Sequence, residues 1–324
     1  MSDSLARPLR FGILGCARIV RRAIAGSLVR AKRAVPWAIA SRNGDMAQAW
    51  ATEMSIPKAY GSYEALIADP DVDAVYIPLP NEMHLEWSVR AAEAGKHVLC
   101  EKPLACDLAE AQAIADGVHR HGRLLMEAFM WRHHPRVTAV REMIASGRLG
   151  ELRMVKMDFS FDIDRSDWRL DRNRGGGALY DLGCYGINAS RLFTGAEPTE
   201  ILATCHKHST GVDMSLGMVL KFPGDVLAVL DCSFESTRRN RFEIVGSQAA
   251  VELPGGVLPA TEAELLVHTN ESVETIRFAE ADQYAEQIDI FCASIDAGKL
   301  IAPAEDGVAN MRVLDAVRRL AWGE

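Results

Sequence analysis

Over the first 128 residues short β-rich runs alternate with amphipathic helical stretches, and that rhythm constrains the fold more than any other feature. "LRFGIL" (9–14) precedes a helical pattern over 19–31, and "VPWAIA" (35–40) precedes one over 45–53. "AVYIPL" (74–79) leads into 83–94, "HVLC" (97–100) leads into 108–121, and "LLMEA" (124–128) follows. Gly95 and Gly122 stop the third and fourth helices, because glycine tolerates the left-handed conformation just past a helix end. Strands separated by helices imply right-handed crossovers and a parallel sheet covered on both faces. Residues 1–125 are therefore expected to form a doubly wound α/β domain.

Past residue 150 the rhythm changes. "ELRMVKMDFSFDI" (151–163) alternates with period two, as a strand with one buried face does. A helix starts near Gly177, and "EILATCHKH", "MSLGMVLKF", "VLAVLDCSF" and "RFEIVG" follow as closely spaced strands, with "FPGD" (222–225) as a hairpin turn. The expectation for 126–324 is an α+β domain for substrate binding and oligomerisation, built on a large, mostly antiparallel open sheet. Two helices, over 283–297 and 304–322, complete the chain. Such a sheet needs cover on both faces, and its alternate apolar positions imply a second subunit, hence a homodimer or homotetramer.

A chain of 324 residues with 48% hydrophobic and 25% charged residues has room for two domains of ordinary size. Its net charge of −8 argues against nucleic acid or an anionic membrane surface as partner. The N-terminus carries no apolar segment before a small-residue cleavage site, and no window approaches the length of a membrane span. The seven cysteines are odd in number and form no C-x-x-C pair, so they read as reduced residues of a cytoplasmic protein. His133–His134 and His206/His208 lack a completing carboxylate or thiolate at metal spacing, so no metal is expected.

"FGILGCARIV" follows the first strand and opens the first helix, where a phosphate-binding turn belongs. Its G-x-G-x-x-G frame reads Gly15, Ala17 and Val20, preceded by Gly12, so one glycine of the frame survives. A turn that needs Gly12 and Gly15 for purely structural reasons is the alternative at this point. In the β-α-β context the stretch reads as the cofactor turn of a Rossmann domain, with Ala17, Arg18 and Ile19 lining it. After the second strand, where NAD sites place an acidic residue, stand Ser41 and Arg42. A guanidinium pairs with a 2′-phosphate that a carboxylate would repel, which favours NADP over NAD. A surface arginine at a helix start is the plainer reading.

"HVLCEKPLA" (97–105) runs from a buried strand directly into Glu101, Lys102 and Pro103. An ammonium at a strand end costs desolvation energy unless its charge is used, and open α/β sheets bind ligands at that end. "YIPLPNEMH" ends the neighbouring strand and brings Pro80, Asn81 and His84 to the same level. "EKPLA", "PLPNEMH", "MEAFMWRHHP" (126–135) and "GGGALYDLGCYGIN" (175–188) together resemble the Gfo/Idh/MocA family of NAD(P)-dependent oxidoreductases, in order and spacing, from about Arg10 to about Pro198. The resemblance implies that Lys102, Asp181 and Tyr185 are catalytic. It also implies that Glu101, Trp131 and Arg132 border the cofactor, and that Trp168 and Arg169 border the substrate together with the catalytic three. Tyrosine rather than histidine at 185 resembles the branch with glucose–fructose oxidoreductase, dimeric dihydrodiol dehydrogenase, aldose dehydrogenases and sugar 3-ketoreductases.

The chemistry fits that pairing. Hydride exchange at a carbinol carbon needs a group to exchange the hydroxyl proton, and tyrosine, with a pKa of about 10, is a poor base unaided. A nearby ammonium stabilises the phenolate, so Lys102 would tune Tyr185. Asp181 and Tyr185, four apart on a helix, can face one pocket. Tyr180 is a rival tyrosine that sits off the family frame. "DRSDWRLDRNR" (164–174) reads as a solvated loop, whose arginines could meet a phosphorylated or nucleotide-linked sugar. The expected activity is NADP(H)-dependent oxidation or reduction of a sugar or sugar derivative. A dihydrodiol or dicarbonyl oxidoreductase and a non-catalytic NADP(H)-binding regulator are the alternatives.

Overall fold

Strands that are apolar on both faces suit a parallel sheet shielded by helices above and below. The computed structural model describes residues 7–259 and 262–323, so the start of the N-terminal stretch read above for a leader lies outside the described residues. The chain divides into two compact units, one running to Met130 with Asp282–Val308, the other comprising Trp131–Ala281 with the residues from Ala309.

Unit 1 holds β1 (Leu9–Leu14), β2 (Ala34–Ala40), β3 (Lys58–Tyr60), β4 (Ala74–Ile77), β5 (His97–Cys100) and β6 (Leu125–Glu127). They are all parallel, in the order β3-β2-β1-β4-β5-β6. This is the doubly wound order, and its switch point opens a crevice at the carboxyl ends of β1 and β4. The connecting helices are α1 (Ala25–Arg30), α2 (Gly44–Glu53), α3 (Tyr63–Ile67), α4 (His84–Glu93) and α5 (Leu108–Arg120). Polar caps start three of them: Asn43 accepts the Met46 amide, Ser62 that of Ala65 and Asp107 that of Glu110. In this unit β3 and α3 escaped the sequence reading, because three and five residues carry no periodic signal. The first helix, expected over 19–31, opens with a wide π-type turn at Val20–Ile24 before α1.

Unit 2 begins with α6 (Pro135–Ala145), capped by His134, and β7 (Leu152–Ser160). After α7 (Cys184–Thr194) come β8 (Glu200–Lys207), β9 (Asp213–Phe222), β10 (Val226–Ser233), β11 (Arg239–Gly246), β12 (Ala250–Leu253), β13 (Glu264–His268) and β14 (Val273–Arg277). The eight strands lie in the order β14-β13-β12-β11-β7-β10-β9-β8, antiparallel except for the β7–β10 pair. One face packs on α7, which comes close because Gly183 and Gly186 lack side chains; a Cβ at Gly186 would stand 3.0 Å from Met157 Cε. The other face carries Leu202, Val219 and Val229 in one cross-strand row, with the first 72% and the last 42% exposed. Lys156–Glu243, Lys221–Glu200 and Arg241–Asp158 ion pairs flank that apolar row.

The chain then returns to unit 1 with α8 (Gln283–Asp296), which a single boundary near residue 125 does not describe. Burial drives the return: Phe291 meets Phe11 edge-on at 6.1 Å, and Ile288 and Cys292 join Ile13, Leu28 and Tyr76 in one core. Asp282 caps α8 and also accepts from Ser27 Oγ at 2.8 Å and Arg30 Nε at 2.7 Å. The last helix is α9 (Ala304–Trp322).

Two imidazoles, half-buried His97 and buried His134, each accept a backbone amide. His97 Nδ1 accepts the Leu124 amide and His134 Nδ1 that of Arg136, each at 3.2 Å. Burial, with Arg123 near one and Arg136 near the other, lowers both pKa values to about 4. In the unfolded chain both titrate near about 6.5. Folded protein therefore binds fewer protons between these values, so this stability is present above about pH 6.5 and is lost as pH falls towards 4. Thermal melts between pH 7.5 and 4.5 should show a falling Tm, and His134→Asn, whose amide oxygen can still cap α6, should flatten part of that fall. An unchanged pH profile in that variant would contradict the assignment.

Candidate active site

In unit 1 the crevice is built by three turns. Gly12 turns out to serve packing: a Cβ there would lie 2.4 Å from Leu66 Cδ2. Gly15 is different, with φ +116° and Leu79 Cδ2 only 2.9 Å from where a Cβ would be. That backbone geometry requires glycine, and the missing side chain lets Leu79 close against the turn. The Gly15 amide donates to Ala40 O at 2.9 Å, joining the turn to the end of β2, and Ala17 O accepts the Val20 amide at 2.9 Å. Arg18 is exposed and Ile19 half-buried beside them. Ser41 is buried and its hydroxyl accepts the Asn43 amide at 3.1 Å, whereas Arg42 is exposed. Burial raises the phenol of Tyr63, and the Arg42 guanidinium beside it opposes that rise.

The second and third turns follow β4 and β5. Pro80 is half-buried and Asn81 buried at the start of a short turn into α4. His84 is 1% exposed, with Nε2 on Leu79 O at 2.8 Å and Nδ1 on Pro103 O at 3.0 Å. Burial lowers its pKa, despite the carbonyls around it. His84 bolts the two turns together, with a main-chain carbonyl at each ring nitrogen and the single N–H of the neutral ring donated to one of them. The Leu104 amide is held from the other side by Glu127 Oε1 at 2.7 Å. Glu101 takes the Tyr76 hydroxyl and the Lys102 amide, and so belongs to the same scaffold. Lys102 is half-buried, and its peptide bond to Pro103 is cis. Tyr284 of α8 shares this environment: burial pushes its phenol up to about 12, with Glu101 adding to the rise and Arg22 and Lys102 opposing it. Nothing local in the sequence links Tyr284 or Glu127 to Lys102.

Unit 2 carries the remaining residues. Trp131 is 1% exposed, with its ring 5.3 Å from Phe242 and 5.9 Å from Phe193. Aromatic rings pack around it within this unit. Arg132 is half-buried next to His133, whose pKa burial lowers to about 3, with Arg132 adding to the effect. Arg169 Nε pairs with Asp181 Oδ2 at 3.1 Å and Nη1 with Asp167 Oδ1 at 3.2 Å, and Asp181 raises the Arg169 pKa. The Trp168 ring carries the Arg169 and Arg174 guanidinia at 5.3 and 5.2 Å. Glycines fold this loop onto the helix start: a Cβ on Gly176 would lie 2.3 Å from Arg169 O, and the Gly177 amide donates to that oxygen at 2.9 Å. Asp181 sits in a wide π-type turn at Leu179–Gly183, a geometry that recurs at functional sites. Tyr185 opens α7 with 6% exposure, its ring 5.9 Å from Phe159, and Tyr180 is buried. Among the described residues no group of three or more His, Cys, Asp or Glu side chains could hold a metal.

The family model described as the oxidoreductase family, NAD-binding Rossmann fold, matches residues 9–129, and the GFO/IDH/MocA C-terminal domain matches 137–252. The chain belongs to the Gfo/Idh/MocA oxidoreductase family. It is 37% identical to D-xylose 1-dehydrogenase (NADP(+)) 2 of Haloferax volcanii, over 95% of this chain and 96% of that protein. It is 34% identical to mouse (Mus musculus) trans-1,2-dihydrobenzene-1,2-diol dehydrogenase, over 76% of this chain and 74% of that one. Among solved structures, a 3-ketoreductase from Actinomadura kijaniata in complex with NADP and TDP-benzene superposes with a TM-score of 0.90 at 33% identity, covering 97% of this chain and 98% of that one.

For a Gfo/Idh/MocA chain with this EKP turn, His84→Ala should lose about 2–3 kcal/mol, because it removes a buried ring and its N–H bond to a main-chain carbonyl. Urea unfolding measures this; a loss below about 0.5 kcal/mol would show that the turns hold without the bolt.

Proposed function

We propose that this protein is an NADP(H)-dependent oxidoreductase acting on a carbinol or carbonyl carbon of a sugar or sugar derivative. The observation that carries the reading is near-full-length likeness to an NADP-dependent xylose dehydrogenase and an NADP-bound 3-ketoreductase. The residues fit a dinucleotide. The Gly15 turn leads directly into a helix start, where an anion is favoured, and exposed Arg42 offers a partner for a 2′-phosphate. When bound, the nicotinamide supplies or accepts hydride. Tyr185 exchanges the hydroxyl proton, Lys102 provides the positive charge that makes a phenol competent near neutral pH, and Asp181 with Arg169 holds the substrate's polar groups.

The test is nicotinamide absorbance with NADP⁺ and a panel of aldoses, inositols and dihydrodiols. Tyr185→Phe should cut kcat by about 10²–10⁴-fold. Turnover that survives would move the proton chemistry off Tyr185. A response only to dihydrodiols would favour the second activity, which the mouse relative supports. Tight NADPH binding without any turnover would favour a regulator. Arg42→Asp should shift preference from NADP⁺ towards NAD⁺, and equal loss with both would remove Arg42 from the 2′-phosphate.

The partner we propose for the open face of the unit 2 sheet is a second copy of the chain, in a dimer or a dimer of dimers. Its apolar row bordered by paired charges supports this, since self-association would bury Leu202 and Val229. Val229→Asp should release monomers in size-exclusion chromatography with light scattering; an unchanged mass would place the interface elsewhere. No disulfide joins the seven cysteines, all of them among the described residues and four of them buried, which supports a reducing compartment such as the cytoplasm. No helix among the described residues is long and apolar enough to cross a membrane.

A further inference from the structure

The turn that carries Asp181 starts without a cap of its own. Ala178 precedes it in helical conformation and no side chain at that position accepts a first-turn amide. Helix starts leave such amides unsatisfied, and a buried one must find an acceptor. Here the acceptor comes from 34 residues further along the chain: Asp213, at the head of β9, accepts the Leu179 amide through Oδ2 at 2.6 Å. The approach needs glycine at 177, which has φ +120° and whose Cβ would stand 2.4 Å from Asp213 Oδ1. Asp213 is 1% exposed, and its Oδ1 has no hydrogen-bond partner.

We propose that Asp213 is a positioning residue for the proton-exchanging helix, fixing the start of the Leu179–Gly183 turn and thereby the placement of Asp181 and Tyr185. This rests on the assignment of proton exchange to Tyr185. A carboxylate at a helix start does more than a neutral cap, because its charge also meets the positive end of the helix dipole. The carboxylate is an expensive choice. Burial raises its pKa to about 6, against the pull of the Leu179 amide. An Asp that titrates near about 3.9 when unfolded and higher when folded costs stability as pH rises between those values, and at neutral pH that cost is complete. Cys205 and Lys207 of β8 and Cys232 of β10 are the titratable groups around it, with Arg172 and Arg318 stacked on Trp322 behind.

The experiment compares full-length wild type, Asp213→Asn and Gly177→Ala at pH 7.5 by kcat, KM, NADPH affinity and Tm. For Asp213→Asn the expected result is a Tm equal to or above wild type, unchanged NADPH affinity, KM within twofold and kcat down about tenfold. Gly177→Ala, which pushes the turn away from the carboxylate, should lower kcat similarly with NADPH affinity retained. Asp213→Asn with wild-type kcat overturns the proposal. So does a loss of kcat that merely tracks a falling Tm and lost NADPH binding, since that marks a structural carboxylate. Failure of the Tyr185 reading is separately visible, because it requires turnover to survive Tyr185→Phe.

Discussion

Parallel strands end in turns that the sheet ladder no longer holds, so the residues just past β5 depend on side chains for their position. Two buried groups supply it, the His84 ring between the Leu79 and Pro103 carbonyls and the Glu127 carboxylate on the Leu104 amide. Glu101 completes the cage through Tyr76 and the Lys102 amide. The cage fixes the main chain at and just after Lys102.

Unit 2 solves the corresponding problem with glycine and charge. Gly176 and Gly177 let the 169–171 loop and Asp213 close on the helix start, and Arg169 then reaches Asp181 at 3.1 Å. Gly183 and Gly186 seat the helix on the sheet. A helix anchored at its first turn and along one face has little freedom left, and the Tyr185 ring is accordingly pinned beside Phe159. The local stability spent here, above all in burying the Asp213 carboxylate, is of the kind that accumulates where geometry matters more than cohesion.

Much of the fold was legible in the sequence because periodicity reports local burial. The βα rhythm, the glycine stops at Gly95 and Gly122, the hairpin at 222–225 and the period-two strand at 151–163 all correspond to elements in the structure. Residue types with specific chemistry were equally visible: Lys102 after a buried strand, the tyrosine at 185, the arginine at 42. Less legible were the surroundings that distant segments supply: Phe242 and Phe193 stand against Trp131, the Leu79 and Pro103 carbonyls against His84, and Leu66 against Gly12.

The sequence by itself determined the class of each half, the order of strands and helices and the chemical repertoire of the candidate site, since these follow from spacing and side-chain type along a local stretch. Only the tertiary structure decided that α8 returns to the first sheet, that Tyr284 stands near Lys102, and that Asp213 caps a helix 34 residues away. Such pairings join segments distant along the chain, and nothing in either segment encodes the other; they arise when burial forces each polar group to find whatever partner the packed fold brings within reach.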